Sequence, residues 1–301
     1  MNNTFYSNGK LLLTGEYVVL DGATALAIPT KYGQRLTIEP TTKGELLWNS
    51  FDFKNQCWFS AAFTGDTLEV EGTDKPAIAN TLQNILREAK RLNPNFLNNT
   101  EGIHVTTELD FPQNWGLGSS STLINNIAQW AQIDAFTLLK NSFGGSGYDI
   151  AAAQQKTPFF YQLYKGQPSI KKAHLLWDFK DHLFFVHLNE KQDSKEGIAH
   201  YKNAKVSKND IEKISDLGKK LLLCYTLQDF ENLMQSHEKT ISEIIKIKPI
   251  QERLFPDFKG TVKSLGAWGG DFVLATGDES NQEYFRKKGY TTIIPFTDML
   301  L

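Results

Sequence analysis

Two hydrophobic patterns alternate along this chain: short apolar or β-branched stretches, of which 103–109 is apolar at every second residue, and longer stretches with the spacing of a helix. The first pattern predicts strands at 11–13, 18–20, 25–28, 35–38, 103–109, 159–163, 183–188 and 291–295, and further strands between 46 and 63. The second predicts helices at 77–92, 121–133, 134–140, 148–155, 208–223, 227–247 and 281–288. Residues 262–275 have the pattern of a strand, a glycine-rich turn and a second strand. Because these elements follow no regular βαβ order, the pattern predicts an α+β fold.

Composition limits the class of protein. The chain has 301 residues, of which 41% are hydrophobic and 22% charged, which is ordinary for a globular protein of one large or two modest domains. The proline- and glycine-containing stretch 165–169 predicts a boundary between domains 1–165 and 166–301. A net charge of −2 argues against a nucleic-acid partner. We expect a cytoplasmic protein without a membrane partner, because the sequence has no signal-peptide pattern and no apolar stretch of about 20 residues.

A run of small residues separates a predicted strand from a predicted apolar helix. This glycine-serine loop consists of Gly116, Leu117, Gly118, Ser119, Ser120 and Ser121. Small residues let backbone N–H groups approach a phosphate, and the start of a helix adds positive potential there. The loop lacks the lysine of a Walker A sequence and the third glycine of a dinucleotide fingerprint. On its residues alone it is either a phosphate-binding loop or a flexible turn that caps a helix.

Four segments in order resemble the motifs of the GHMP kinases, the family of galactokinase, homoserine kinase, mevalonate kinase and phosphomevalonate kinase. They are residues 9–22 (GKLLLTGEYVVLDG), 115–122 (WGLGSSST), 145–153 (GSGYDIAAA) and 264–271 (SLGAWGGD). The first and third of these are most similar to the phosphomevalonate kinase branch. The resemblance implies an N-terminal ATP-binding domain of the ribosomal S5 domain 2-like type. A ferredoxin-like C-terminal domain would follow, with the active site in the cleft between the two.

The resemblance also implies ATP and Mg²⁺ as cofactors and gives roles to residues of the motifs. Asp149 corresponds to the general base, and Lys10 to the residue that stabilises charge beside it. Ser120 corresponds to the Mg²⁺ ligand. The implied nucleotide-binding residues are Trp115, Gly116, Leu117, Gly118, Ser119, Ser120 and Ser121. The implied substrate-binding residues are Glu16, Gly147, Gly266, Ala267, Gly269 and Gly270.

Structural roles are alternatives for several of these residues. Asp149 could cap the helix that starts near Ile150, and Lys10 could be a solvated lysine at a strand end. Glu16 could pair with a basic residue beneath the strand, and Trp115 could be a core residue instead of covering the base. The glycines of the last motif could form a turn between two strands.

Two departures from the family pattern bear on chemistry. Trp268 stands where the family usually has glycine or another small residue, so it would narrow the cleft or stack on a ligand. Leu138 stands eleven residues before Asp149, where mevalonate and homoserine kinases supply a second Mg²⁺ ligand, a glutamate. A third departure, Asn8 in place of proline, is mild.

The combined features predict a kinase that transfers the γ-phosphate of ATP to a small anionic metabolite of the mevalonate pathway, either phosphomevalonate or mevalonate. Two alternatives use the same scaffold. One is an enzyme resembling diphosphomevalonate decarboxylase, which also lacks the Mg²⁺ glutamate. The other is a non-catalytic ligand-binding protein. The sequence leaves monomer and homodimer equally open.

Overall fold

The computed structural model describes residues 3–42, 44–98, 102–190, 194–268 and 270–301. The strands are β1 (Thr4–Leu12), β2 (Ala25–Pro40), β3 (Leu46–Phe51), β4 (Cys57–Thr64), β5 (Glu69–Thr73), β6 (Ile103–Leu109), β7 (Phe159–Tyr164), β8 (Gln167–Lys172), β9 (Leu183–His187), β10 (Val262–Ser264), β11 (Phe272–Thr276) and β12 (Ile293–Pro295). The helices are α1 (Pro76–Leu92), α2 (Ser119–Ala131), α3 (Ala135–Ser142), α4 (Tyr148–Gln154), α5 (Ser194–Lys202), α6 (Lys208–Leu222), α7 (Leu227–Ile245), α8 (Ile250–Leu254), α9 (Glu279–Lys287) and α10 (Phe296–Met299). This mixture confirms the predicted α+β class.

The chain forms two compact units that alternate along the sequence. The first contains the described parts of Met1–Gly9, Tyr32–Gln113 and Leu117–Gln154, and the second those of Lys10–Lys31, Asn114–Gly116 and Gln155–Leu301. This division differs from the single predicted boundary after residue 165. Residues 155–165 belong to the second unit because β7 pairs with the first residues of β2 and with β8. The stretch predicted as a boundary is the hairpin turn between β7 and β8, where Lys165 and Gly166 both have positive φ.

The first unit is a sheet covered by helices. Its strands pair in the order β5-β4-β3-β6-β2, and the pair β3 and β6 is parallel. Alternate residues of β3 and β6 are buried, as expected for strands with one face against a core. The core joins this face to α1, α2 and α3 through residues such as Trp48, Phe63, Val105, Ile124 and Leu138. The helix α2 is thereby held by its apolar side, and its N-terminus follows the glycine-serine loop.

The second unit contains an antiparallel sheet in the order β10-β11-β9-β12. In this sheet Phe272 of β11 stands opposite His187 of β9. A separate cluster packs α6 and α7 against the turn at Val18–Asp21. Ser207 caps α6 in a reciprocal capping box with Asp210, and the Thr226 hydroxyl caps α7.

One predicted strand is wrong. Residues 18–20 form a 3₁₀ turn, Val18–Asp21, because Gly15 (φ 91°) and Tyr17 (φ 62°) are both left-handed and reverse the chain before it. Local bonds then replace sheet pairing, with the Val19 N–H donating to the Gly15 carbonyl at 2.9 Å. The β-branched side chain of Val18 is buried in the cluster with α6 and α7, and Val19 is also buried, although neither is in a sheet.

The two predicted helices at 208–223 and 227–247 are confirmed as α6 and α7, which end at Leu222 and Ile245. Their apolar faces are the buried ones, so tertiary packing agrees with the sequence period. Among the described residues, no helix combines the length and apolar character needed to cross a membrane.

Candidate active site

The glycine-serine loop leads into the N-terminus of α2. Gly118 is the N-cap residue, has a left-handed φ of 89° and contributes no side-chain cap to the helix. The hydroxyl of Ser121 is turned back onto the Gly118 carbonyl at 2.8 Å, whereas Ser119 is half-buried and Ser120 is exposed. The loop therefore places the first backbone N–H groups of α2, which suit a phosphate, beside the exposed Ser120 hydroxyl, an oxygen of the kind that Mg²⁺ binds.

Asp149 lies in the first turn of α4. The helix begins at Tyr148, so Asp149 lies inside the first turn and is not the N-cap residue that the structural alternative expected. Its Oδ1 nevertheless accepts a hydrogen bond from the Ile150 N–H at 3.1 Å. Asp149 is half-buried, and the residue before the helix, Gly147, is left-handed with φ 84°. A carboxylate at a helix N-terminus is stabilised in its charged form, the form a general base needs.

A polar network that the sequence analysis did not find connects α2 with α4 inside the first unit. Asn125 of α2 accepts a hydrogen bond from Gln154 of α4 at 2.9 Å and donates one to Ser7 at 2.8 Å. Asn126 bonds the same Ser7 hydroxyl and the Gln34 carbonyl. Ser7, Asn125 and Asn126 are almost fully buried. The two adjacent asparagines, Asn125 and Asn126, in the apolar middle of α2 were the signal in the sequence that could have revealed this network.

Three contacts within the second unit fix the segment 114–116. The Lys10 ammonium donates to the Gly116 carbonyl at 2.7 Å. The Trp115 ring meets Phe272 edge to face at a centroid distance of 5.3 Å, and the ring of His187 bonds the Asn114 carbonyl at 3.0 Å. Trp115 is half-buried in this arrangement, so packing accounts for part of its surface. Lys10 is anchored to the glycine-serine loop and is not merely a solvated strand-end lysine.

Glu16 belongs to a buried charge cluster, which we define as Glu16, His237, Glu238 and Lys263. The Lys263 ammonium bonds Glu16 directly and also donates to the Ser264 carbonyl at 2.8 Å. It lies 3.8 Å from Glu238, which accepts from the Ser264 hydroxyl at 2.9 Å. All four side chains are almost completely buried. Glu16 therefore pairs with a basic residue, as the structural alternative expected. The substrate-binding role of Glu16 stays a prediction, and this pairing does not support it.

Hydrogen bonding determines the protonation of His237. Its Nε2 accepts the Gly15 N–H at 3.0 Å and therefore carries no proton, so the 3.4 Å approach to Glu16 is not an ion pair. Burial lowers the pKa of His237 well below its usual value, and the nearby Lys263 charge lowers it further. The imidazole is consequently neutral and joins the turn at Gly15 to α7.

Burial also controls the two carboxyl groups. It raises the pKa of Glu238 to about 8, with Lys263 opposing and Glu16 adding to the rise. It raises the pKa of Glu16 as well, although the Lys263 charge opposes this. Near neutral pH Glu238 therefore holds its proton, and the charge of Lys263 is offset by its direct contact with Glu16. Such an offset is what makes a fully buried charged group tolerable.

The glycine-rich segment between β10 and β11 is joined to the first motif. The Tyr17 hydroxyl donates to the Ala267 carbonyl at 2.8 Å, and the Trp268 N–H closes a turn on the Leu265 carbonyl at 3.4 Å. Gly266, in that turn, is left-handed with φ 59° and has open space around its Cα. A turn is therefore present at Gly266 and Ala267. Gly270 is buried, and Gly269 lies outside the described residues.

Trp268 and Leu138, the two departures from the family pattern that bear on chemistry, are both core residues. Trp268 is 2% exposed and packs with Tyr17, Tyr201 and the apolar faces of α6 and α7, despite a left-handed φ of 58°. The expectation that it stacks on a ligand or narrows a cleft is not supported by this burial. Leu138 has no exposed surface and packs in the core of the first unit. A glutamate at that position would be desolvated, which is a physical reason for the apolar side chain.

Comparison with known proteins places this geometry in a structural class. No family model matches the sequence, and no curated protein does. Among solved structures, a Lin0012 protein from Listeria innocua matches with a TM-score of 0.72 at 15% identity, covering 97% of this chain and 96% of that one. The mevalonate kinase of Methanococcus jannaschii matches with a TM-score of 0.69 at 15% identity, with coverage of 97% and 96%. The phosphomevalonate kinase of Streptococcus pneumoniae, in complex with phosphomevalonate and AMPPNP, has a TM-score of 0.69 at 15% identity and 95% coverage of both chains.

These likenesses define the fold: the chain has the GHMP kinase fold over nearly its whole length. The expectation drawn from the four motifs is confirmed at the level of fold. At such identities the residue roles still depend on the local geometry described above.

Proposed function

We propose that this chain is an ATP-dependent kinase that transfers the γ-phosphate to a small anionic metabolite of the mevalonate or phosphomevalonate type. The observation that carries the proposal is the N-terminus of α2, where the N-cap residue Gly118 is left-handed and adds no side-chain cap. Such a terminus combines N–H donors with positive potential and suits an anion. The fold likeness to mevalonate and phosphomevalonate kinases supports the same activity.

The residues present fit a nucleotide with its metal. Gly116 and Gly118 have left-handed φ values of 66° and 89°, which glycine adopts without the strain that a side chain would cause, so the loop can turn before α2. Ser119 and the backbone N–H groups of the loop would hold the α- and β-phosphates, and the exposed Ser120 hydroxyl would hold Mg²⁺. Mg²⁺, when bound, neutralises charge on the phosphate oxygens during transfer.

Asp149 is the proposed general base. As the acceptor oxygen bonds to the γ-phosphorus, the bond from that phosphorus to the bridging oxygen breaks and ADP departs. A hydroxyl acceptor gives its proton to the Asp149 carboxylate; a phosphate acceptor is oriented by the site and needs little basic assistance. Lys10, anchored on the Gly116 carbonyl, offsets the negative charge of the transferred group. Gly147 and the segment with Gly266, Ala267, Gly269 and Gly270 would leave room for the acceptor.

A second candidate, a decarboxylase acting on diphosphomevalonate, is favoured by one observation. Leu138 is buried in the core, so this position supplies no carboxylate for a metal. Diphosphomevalonate decarboxylases also lack the glutamate that mevalonate kinases supply there, and this candidate predicts one additional product, carbon dioxide.

An ADP-release screen tests the proposal. The full chain is incubated with ATP and Mg²⁺ and, separately, with mevalonate, phosphomevalonate, diphosphomevalonate, homoserine and galactose, while ADP and carbon dioxide are both followed. We expect ADP release with mevalonate or phosphomevalonate and no carbon dioxide. Carbon dioxide from diphosphomevalonate would establish the second candidate, and ATP binding without consumption of any acceptor would argue for a non-catalytic protein.

Asp149→Asn separates binding from chemistry. For a hydroxyl acceptor we expect turnover to fall by about a hundredfold or more while ADP still binds, because only the base is lost. Asp134→Asn is the matched control, since Asp134 is an exposed N-cap residue of α3 and asparagine caps equally well. Full activity of Asp149→Asn with such an acceptor would remove Asp149 from the mechanism.

A further inference from the structure

Asp271 ends the last motif in an unusual backbone conformation. Its φ is 56°, in the left-handed region that few residues other than glycine enter, although aspartate does so more readily than most. Two backbone hydrogen bonds hold it there: its N–H donates to the Glu190 carbonyl at 2.7 Å, and its carbonyl accepts the Leu188 N–H at 2.8 Å. The direction of the Asp271 side chain is thus fixed by the chain beyond the end of β9.

That side chain lies against the first residue of the glycine-serine loop. A Cβ placed on Gly116 would be 2.2 Å from the Asp271 Cγ and 2.3 and 2.7 Å from its two carboxylate oxygens. No side chain fits between them, so the carboxylate and the Gly116 backbone are in direct contact. The Lys10 ammonium bonds the Gly116 carbonyl, so a carboxylate and an ammonium both meet this one residue.

A carboxylate at this point changes which form of a nucleotide the loop accepts. Phosphate oxygens alone are repelled by a carboxylate, whereas a divalent cation between them reverses the sign of the interaction. Carboxylate oxygens are also preferred Mg²⁺ ligands, either directly or through a water. Leu138, buried in the core, cannot take this role.

We propose that Asp271 supplies the carboxylate that couples Mg²⁺ to the nucleotide at the Gly116 end of the loop. The loop would then bind the metal–nucleotide complex in preference to the free nucleotide. This inference rests on the proposed function, because it requires a nucleotide at the loop.

Calorimetric titration of the full chain with ADP tests the coupling directly, without any turnover. The measured quantity is the ratio of the ADP Kd in EDTA to the ADP Kd in excess Mg²⁺. We expect Asp271→Asn to lower this ratio about tenfold, as loss of one close charge interaction predicts. Asp271→Gly should have the same effect, and it also suits the left-handed backbone, so it keeps the test valid if the asparagine variant folds poorly.

Asp278→Asn is the matched control, because Asp278 is an N-cap residue of α9 and asparagine can replace it there. Its ratio should equal that of the wild type. If the wild type binds ADP but both Asp271 variants keep the wild-type ratio, the coupling role is wrong while the kinase proposal stands. If the wild type binds no ADP with or without Mg²⁺, the kinase proposal itself fails and this inference fails with it.

Discussion

The Asn125 Oδ1 of α2 accepts a hydrogen bond of 2.9 Å from the Gln154 Nε2 of α4. One helix begins at the glycine-serine loop and the other carries Asp149 in its first turn, so this bond ties the proposed phosphate site to the proposed base. Asn125 is buried and also bonds Ser7, which leaves its amide little freedom to turn.

Gln154→Ala should therefore lower kcat clearly while reducing the free energy of unfolding only slightly. Loss of one hydrogen bond costs about 1 kcal/mol of unfolding free energy, whereas a displaced base affects every turnover. We expect kcat to fall about tenfold with the ADP Kd unchanged. Gln228→Ala is the matched control, because Gln228 is exposed on α7 and bonds Asn232 of the same helix at 3.3 Å. Equal effects of the two variants on kcat would contradict a positioning role for Gln154.

Lys263→Met should destabilise the second unit strongly. It leaves the buried Glu16 without its ammonium partner, and breaking one side of a buried pair costs about 3–5 kcal/mol. Urea unfolding measures the loss. Lys219→Met removes an exposed pair with Asp216 at 3.6 Å and should cost less than about 1 kcal/mol. Adding Glu16→Gln to Lys263→Met should restore part of the stability; no restoration would mean that the pair does not explain the loss.

Stability should fall as the pH rises from neutral towards about 8. The pKa of Glu238 is raised to about 8 in the folded protein, above its unfolded value, so the folded state holds the proton more tightly. Its contribution is fully present below the unfolded pKa and is lost as pH rises through the folded one. The slope from this group is about 1.4 kcal/mol per pH unit near pH 6.5 and falls to about half of that at pH 8, where half of the folded molecules have lost the proton.

The lowered pKa of His237 makes stability fall as the pH decreases, because below the unfolded pKa the unfolded chain binds a proton that the folded chain does not bind. This effect is confined to lower pH and has the opposite sign to that of Glu238. Urea unfolding at several pH values, compared between wild type and Glu238→Gln, isolates the Glu238 contribution. Glu238→Gln should flatten the curve above pH 6.5, and Glu243→Gln, at an exposed position of the same helix, should leave it unchanged. A wild-type slope in the glutamine variant would assign the titration to another group.

Gly116→Ala should weaken ADP binding as well as folding. The new Cβ would stand 2.2 Å from the Asp271 Cγ, in addition to occupying a left-handed φ of 66°. Gly166→Ala has a similar φ of 76° but open space, so it has only the conformational cost of a left-handed alanine, about 1–2 kcal/mol. Thermal unfolding and ADP calorimetry of both variants separate the backbone strain of a left-handed alanine from the overlap of its Cβ with Asp271. Asp271→Gly combined with Gly116→Ala should recover thermal stability relative to Gly116→Ala alone, and failure to recover it would exclude the overlap as the cause.

Local patterns predicted the amphipathic helices and most strands because side-chain period and burial agree there. They failed at residues 18–20, since the left-handed Gly15 and Tyr17 turn the chain against the β-propensity of Val18 and Val19. The motifs predicted the fold correctly, because short glycine-rich segments keep their residues where the backbone must take special conformations. The alternating division of the chain was not predictable from composition, because it follows from the pairing of β2 with β7.

The candidate site was predictable only where residues lie close in sequence. The glycine-serine loop and Asp149 were found from their own segments. The partner of Glu16 is Lys263, 247 positions along the chain, and no local pattern connects them. Trp268 was expected to narrow the cleft or stack on a ligand because it replaces a small residue. Its side chain is instead buried in the core by tertiary packing, which no local pattern shows.

The buried charge cluster also has a consequence during synthesis. Residues 10–31 leave the ribosome early, yet the side chains that satisfy Glu16 and the Gly15 N–H come from α7 and β10. Until residue 263 has been translated, a nascent chain that buried Glu16 would bury an unpaired carboxylate. Completion of the second unit must therefore wait for the last part of the chain, and the N-terminal motif takes its final form only then.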